Sequence, residues 1–399
     1  LEVAGVVAWL RAHPAVARLN QDVGQKSFRD EAGATLLLRA DGGPAVGMGH
    51  VMRLAGLGQA WLRRGGKAVL VCGALPPAVA AQVASMGVQV ATLPAGLEVA
   101  SAAERDWLSG LAAQSQARAV LVDGYCFTPQ WLSSLRQGGL RVAYVDDAGD
   151  PRLDVDLVLM PNAAAVAPPS AKSAVLAGAA YTPVRAEFSG RGPKAPPPTT
   201  KRRLLLTFGG SDPAQMTLRA LQAALEVQRQ LAPRLQLSVV AVLGGAMTPA
   251  QVDAVQAVAA GQPEVELLRN VTDMASVLAT VDVALTAGGT TVWELAALGI
   301  PMMVVAVADN QLVVVRGITA AGAGLATQAA GQLSDAQLTE AIATLVDLPM
   351  PQWAAMSAAG QRLIDGHGAA RIADALAPLT YAAPPPAPDP QQTPAAGAP

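Results

Sequence analysis

The sequence predicts an α/β protein made of two Rossmann-like, doubly wound domains that face each other across a cleft. Short, continuous apolar runs rich in β-branched residues alternate with longer helical patterns, as buried parallel strands and their crossover helices do. This series occurs twice, and a proline- and glycine-rich segment separates the two occurrences. The chain has 399 residues, 52% of them hydrophobic, which is enough for two large cores.

Residues 1–34 read as an N-terminal extension of helix and loop, to which no role is assigned. The first domain is expected over 35–188. Its strands are Leu36–Leu38, Ala68–Cys72, Ala119–Asp123, Arg141–Val145 and Leu157–Met160. Between the first two lies a helix in which Leu54, Leu57 and Trp61 share one face. Residues 189–203, SGRGPKAPPPTTKRR, form a linker whose basic side chains are expected in solvent. The second domain is expected over 204–380. Its strands are Leu204–Phe208, Leu237–Leu243, Val265–Leu268, Val281–Leu285 and Met302–Val307, and helical patterns at 335–347 and 352–376 close it. Residues 381–399 are a Pro/Ala-rich tail expected to be disordered.

Composition excludes several classes. A net charge of −2 gives no broad basic face for nucleic acid. The mean hydropathy of +0.33 comes mostly from alanine and valine. The longest apolar stretch, Val304–Leu325, is broken by Asp309, Asn310, Gln311 and Arg316, so no membrane span is expected. Residues 1–10 lack a basic n-region, so no signal peptide is expected either. Cys72 and Cys126 form no disulfide framework and read as buried thiols in a cytoplasmic protein. The histidines and cysteines have no ligand spacing, so no metal and no other cofactor is expected. Asp146, Asp147 and Asp150 read as a solvated turn.

In doubly wound sheets ligands bind beyond the carboxyl ends of strands. Five segments lie there. In Gly47-Met48-Gly49-His50-Val51-Met52-Arg53, a histidine opens a helix after a glycine loop. The helix N-terminus disfavours imidazolium, so His50 is expected to be neutral and suited to general-base work. The alternative is a packed or capping histidine. Gly209-Gly210-Ser211-Asp212 offers a backbone cradle for phosphate, or a plain turn. Gly288-Gly289-Thr290-Thr291, with Glu294 one turn on, suits a diphosphate and a ribose, or else is a capping box of Thr291 and Glu294. Asn310 and Gln311 are an amide pair for sugar hydroxyls or acetamido groups, or an ordinary polar loop. Tyr125, in Asp123-Gly124-Tyr125-Cys126, is placed to stack on a ligand or to serve the structure alone.

Taken in order, these segments resemble a known family. Arg39-Ala40-Asp41, the Gly47–Arg53 loop, Val122–Tyr125, Val145–Asp147, Thr207–Pro213, Ala287–Pro301 and Asn310-Gln311 are similar to motifs of the UDP-2,4-diacetamido-2,4,6-trideoxy-β-L-altropyranose hydrolases of pseudaminic acid synthesis. The likeness spans about residues 35–376. It implies a GT-B fold related to the cell-wall N-acetylglucosaminyltransferase. It also implies hydrolysis of the anomeric C–O bond of a UDP-sugar with inversion, His50 being the base for water. By the same likeness Gly288–Thr290 would hold phosphate, Glu294 the ribose, and Asn310 and Gln311 the sugar or its phosphate link. Tyr125 matches the family's tyrosine, and Gly49 and Arg53 complete the expected binding set. The chain has Gly124 where the family often has His. A glycosyltransferase on the same scaffold and a non-catalytic UDP-sugar-binding protein are the alternatives, with a monomer or weak oligomer expected.

Overall fold

The computed structural model describes residues 33–43, 48–167, 173–190, 192, 194–271 and 273–381. Most of the N-terminal extension, Gly47 of the histidine loop and the tail from 382 onward lie outside the described residues.

Two parallel sheets organise the chain. The first has the order β3-β2-β1-β4-β5-β6-β7. Its strands are β1 (Thr35–Ala40), β2 (Lys67–Cys72), β3 (Gln89–Thr92), β4 (Ala119–Asp123), β5 (Arg141–Val145), β6 (Leu157–Met160) and β7 (Ala174–Ala177). The second has the order β10-β9-β8-β11-β12-β13. It comprises β8 (Lys201–Thr207), β9 (Gln236–Leu243), β10 (Val265–Arg269), β11 (Val283–Ala287), β12 (Met302–Val305) and β13 (Leu325–Ala326). In each sheet the strand order reverses at one place, between β1 and β4 and between β8 and β11. A crevice opens at such a switch point because the flanking crossover helices lie on opposite faces.

Both sheets are covered on both faces. Helix α1 (Gly49–Arg63) packs Val51, Leu54, Leu57 and Trp61 on one face of the first sheet. Helices α2 (Pro77–Ser85), α3 (Ala102–Ser115) and α4 (Pro129–Gln137) follow in chain order. From α3 and α4, Leu108, Trp131 and Leu135 cover the opposite face. The second sheet is followed through α5 (Met216–Leu231), α6 (Pro249–Ala259), α7 (Met274–Ala279), α8 (Thr291–Ala297), α9 (Leu312–Ala320), α10 (Asp335–Val346) and α11 (Met350–Leu363). Its two cores centre on Leu221 and Ile342 on one side and on Trp293 and Ile318 on the other.

The chain crosses between the lobes more than its sequence order suggests. The 352–376 pattern is two helices, α11 and α12 (Gly368–Tyr381), interrupted at Ile364–His367. Ile372, Ala373, Leu376 and Leu379 of α12 belong to the core under α1, not to the second sheet. Conversely, Val184 and Phe188, which precede the linker, are buried in the second lobe's core. Strand β8 begins inside the basic end of the linker. Arg202 is therefore not solvated: it is 4% exposed, and its Nη1 donates to the carbonyls of Pro198 and Lys201. Cys72 is buried, but Cys126 is exposed, because the chain leaves the sheet at Gly124. Among the described residues, no helix is long and apolar enough to cross a membrane.

Candidate active site

In the first lobe the site is built on the switch between β1 and β4. Gly49 opens α1 and His50 follows, 8% exposed. Asp123, the last residue of β4, is fully buried, and its Oδ1 stands 2.8 Å from His50 Nδ1. One turn along α1, Arg53 grips the same carboxylate, Nε to Oδ2 at 2.8 Å and Nη2 to Oδ1 at 2.7 Å. Burial pushes the Asp123 carboxyl up, but the Arg53 charge and the His50 bond outweigh it and hold the group below the usual carboxylate range. An ionised carboxylate only accepts hydrogen bonds. His50 Nδ1 is therefore the donor in this pair, and in the neutral ring Nε2 carries the lone pair. The contact of 3.3 Å between Arg53 Nη2 and His50 Nδ1 is then proximity, since both sides are donors.

Asp147, just beyond β5, completes the cluster. Its two oxygens take Arg53 Nη1 at 3.0 Å and Nη2 at 2.9 Å. The Asp123 and Asp147 carboxylates together raise the Arg53 guanidinium well above its ordinary value despite burial. Arg53, expected to bind substrate, is thus committed to two carboxylates. Asp146 shapes the loop that presents Asp147 by accepting the N–H groups of Ala148, Gly149 and Asp150. The solvated turn expected at 146–150 is accordingly a structured part of the site. Tyr125 is 57% exposed. Its ring stands edge-on to His50 with centroids 4.9 Å apart, and its hydroxyl lies 3.4 Å from Asp147 Oδ2. Gly124 sets this turn with φ +151°, and a Cβ there would meet the Phe127 ring at 3.1 Å. A histidine at this position would face both constraints. Behind the cluster, buried Arg39 pairs with Glu104 and Asp41, a structural use of the Arg39-Ala40-Asp41 motif.

The second lobe presents three loops from adjacent strands β8, β11 and β12. The first does not offer a helix N-terminus. Asp212 caps α5, its two oxygens accepting Met216 N–H and Thr217 N–H at 2.8 Å each. A carboxylate already occupies the place expected for phosphate, although Gly209 and Gly210 remain exposed and Ser211 half-buried beside it. The second loop differs. Helix α8 opens at Thr291 with no side-chain cap, so the capping box of Thr291 and Glu294 does not form. Glu294 instead accepts Arg185 Nε at 2.8 Å. Gly288 N–H and Val307 N–H both donate to Gln311 Oε1, at 3.0 Å each. Gln311 thereby ties the Gly288-Gly289-Thr290 turn to the end of β12, and a Cβ on Gly288 would stand 2.9 Å from Gln311 Cβ.

The two lobes meet at the site. Asn310 Nδ2 donates to Tyr125 Oη at 3.3 Å, across 185 positions of sequence. Of the residues singled out in the sequence, His50, Arg53, Tyr125 and Asn310 fall into one connected cluster. Gly288, Gly289, Thr290, Glu294 and Gln311 form a second group, at the ends of β11 and β12. Asp123, Asp147 and Arg185 were not singled out for these roles. Among the described residues, no group of three or more His, Cys, Asp or Glu side chains is placed to hold a metal ion.

Two parallel-sheet Rossmann-like lobes, joined by a linker and re-crossed by a terminal helix, define the GT-B fold. Residues 204–375 match the glycosyltransferase family 28 C-terminal domain. The chain is 26% identical over 178 residues to the spore coat polysaccharide biosynthesis protein SpsG of Bacillus subtilis (strain 168), covering 45% of this chain and 50% of that protein. It thus spans about half the length of this relative. Among solved structures, MurG of Acinetobacter baumannii superposes with a TM-score of 0.57 at 15% identity, covering 86% of this chain and 98% of that one. The S. aureus MnaA co-structure with UDP gives 0.58 at 15% identity, covering 85% and 94%. Spinosyn rhamnosyltransferase SpnG with thymidine diphosphate gives 0.56 at 20% identity, covering 85% and 98%.

Proposed function

We propose that the protein is an enzyme of the glycosyltransferase type that uses a nucleotide sugar, a UDP-sugar by our reading, in polysaccharide biosynthesis. The observation that carries this reading is the His50–Asp123 pair set at one switch point, opposite the glycine turn at the other. The likeness of residues 204–375 to a glycosyltransferase domain and of the chain to SpsG supports it. MnaA and SpnG are nucleoside-diphosphate complexes of the same fold.

In this scheme the second lobe holds the nucleotide. The uncapped start of α8 and the Gly288–Thr290 turn meet the diphosphate with backbone N–H groups and the positive end of the helix dipole. Gly209, Gly210 and Ser211 line the neighbouring loop, and Glu294 takes the ribose hydroxyls. Asn310 reaches the sugar, where its amide suits an acetamido group. On the first lobe, Gly49 gives the backbone close approach and His50 acts as base. The imidazole Nε2 takes the proton of the attacking hydroxyl as its oxygen bonds to the anomeric carbon. The bond from that carbon to the diphosphate oxygen breaks, and the nucleoside diphosphate leaves with its charge met by the α8 donors. Attack opposite the leaving group inverts the centre.

A second reading has water as the nucleophile, giving a hydrolase that acts on a UDP-diacetamido-trideoxyhexose. One observation favours it: Tyr125 stands edge-on to His50 and is bonded to Asn310, which leaves the approach to the imidazole better suited to a small nucleophile than to a large acceptor. Incubating the protein with UDP-diacetamido sugars in labelled water, with and without saccharide acceptors, separates the readings by NMR. Transfer predicts UDP release that depends on acceptor, and hydrolysis predicts label on the free sugar without one. No UDP release under either condition over long incubation would sink both in favour of a binding protein.

The role of the Gly288 turn has its own test. Gly288→Ala forces Gln311 to move, because the added Cβ would meet its side chain. UDP affinity of the folded variant is expected to fall about tenfold by calorimetry, with a lower melting temperature because Gln311 Cβ cannot swing aside without its backbone. Unchanged affinity would remove this turn from diphosphate binding.

A further inference from the structure

Arg185 has no part in the scheme above, yet it is held from both sides. It lies between β7 and the linker, in the segment that joins the lobes. Its Nε donates to Glu294 Oε1 at 2.8 Å, and Nη1 reaches Glu187 at 3.0 Å. Its guanidinium stacks over Phe188, with Cζ 4.9 Å from the ring centroid. Its stem lies along α1: a Cβ on Gly56 would stand 3.5 Å from Arg185 Cγ. The first-lobe helix that carries His50 thus buttresses an arginine whose charge is delivered to the second lobe. Glu294 needs it. Glu294 is 7% exposed, and burial holds its carboxyl above the usual range although Arg185 pulls it down. A carboxylate that accepts two neighbouring hydroxyls must be both ionised and fixed in rotation. The charge-assisted bond to Oε1 favours the ionised form and fixes the rotation, and among the described residues no hydrogen bond occupies Oε2. Arg185 itself is a poor phosphate ligand, since Glu294 and Glu187 already balance its one charge with two.

We propose that Arg185 is a positioning residue that aims the Glu294 carboxylate at the two ribose hydroxyls of a bound uridine nucleotide. This rests on the ribose reading of Glu294 given above. Arg185 then makes nucleotide recognition in the second lobe depend on the packing of the first.

The test is a comparison of UDP with 2′-deoxy-UDP, by calorimetry, on the wild type, Glu294→Gln and Arg185→Met. The wild type is expected to prefer UDP by about tenfold, the value of one hydrogen bond to a charged group. In Arg185→Met the preference should collapse to about twofold or less, while affinity for 2′-deoxy-UDP changes by less than about threefold. A purely structural or phosphate-contacting arginine would weaken both ligands equally and keep the preference, and that result overturns the proposal. If Glu294→Gln loses the preference but Arg185→Met keeps it, the ribose reading stands and the role of Arg185 falls. A wild type that does not bind UDP, or binds both ligands equally, overturns the ribose reading and this inference with it. If Arg185→Met does not fold, Arg185→Lys carries the same test, because a lysine keeps the charge but lacks the planar Nε donor. The preference is then expected to shrink, and a full preference in Arg185→Lys overturns the proposal.

Discussion

His50→Ala is expected to cut turnover of the UDP-sugar by roughly 100-fold or more while UDP still binds. His50 is tied through Nδ1 to a buried carboxylate, which fixes its ring and leaves Nε2 free to take a proton. The residues proposed to hold the nucleotide lie on the other lobe, at the ends of β11 and β12, so removing the imidazole leaves them in place. A merely packed histidine predicts the opposite pattern, a lower melting temperature with turnover preserved. Measuring steady-state turnover, UDP affinity and melting temperature on the same preparation decides between them. Turnover within about threefold of the wild type would take His50 out of the chemistry.

Asp123→Asn is expected to be comparably damaging, for a different reason. The asparagine preserves shape but presents an amide N–H as well as a carbonyl. If the N–H faces Nδ1, the imidazole must carry its proton on Nε2 and can no longer act as base. Tautomer errors of this kind cost about 100-fold or more in turnover. The substitution also leaves Arg53 with Asp147 as its one carboxylate partner, the latter 24% exposed. Breaking a buried ion pair costs about 3–5 kcal/mol when the remaining charge is uncompensated, and less where a second partner remains. A clear fall in melting temperature is therefore expected, and turnover has to be taken per folded molecule, by circular dichroism at the assay temperature. Folded Asp123→Asn with near-normal turnover would mean that the tautomer is not set by this carboxylate.

The strands were legible where they are buried on both faces. Ala119–Asp123, Arg141–Val145 and Leu157–Met160 are continuous apolar runs or nearly so, and they fold with the bounds their sequence implies. β3, β7 and β13 were not legible. β3 is an edge strand with mostly exposed residues, β7 is half-buried, and β13 has two residues, so none carries enough apolar sequence to stand out. The site was legible in the same uneven way. Glycine turns and a histidine at a helix start are local signals, and they led to His50, Gly288 and Asn310. Asp123, Asp147 and Arg185 act through hydrogen bonds that span 73, 94 and 109 positions. No local spacing carries such a pair. Asp147 also stands among other acidic residues, where a solvated turn was the simpler reading. At Gly209–Asp212 the sequence offers Asp212 either as part of a ligand loop or as a cap, and only packing chooses the cap.

Helix α12 has a consequence for synthesis of the chain. It seals the core beneath α1 with Ile372, Ala373, Leu376 and Leu379, and Asp374 on it pairs with Arg64. The lobe that emerges first from the ribosome therefore waits for its final layer until residue 381 has been made, long after the other sheet has all its strands. Until then the hydrophobic underside of the helix that bears the histidine stands open to water. A nascent chain paused between α11 and α12 would be a natural client for chaperones that hold exposed apolar surface.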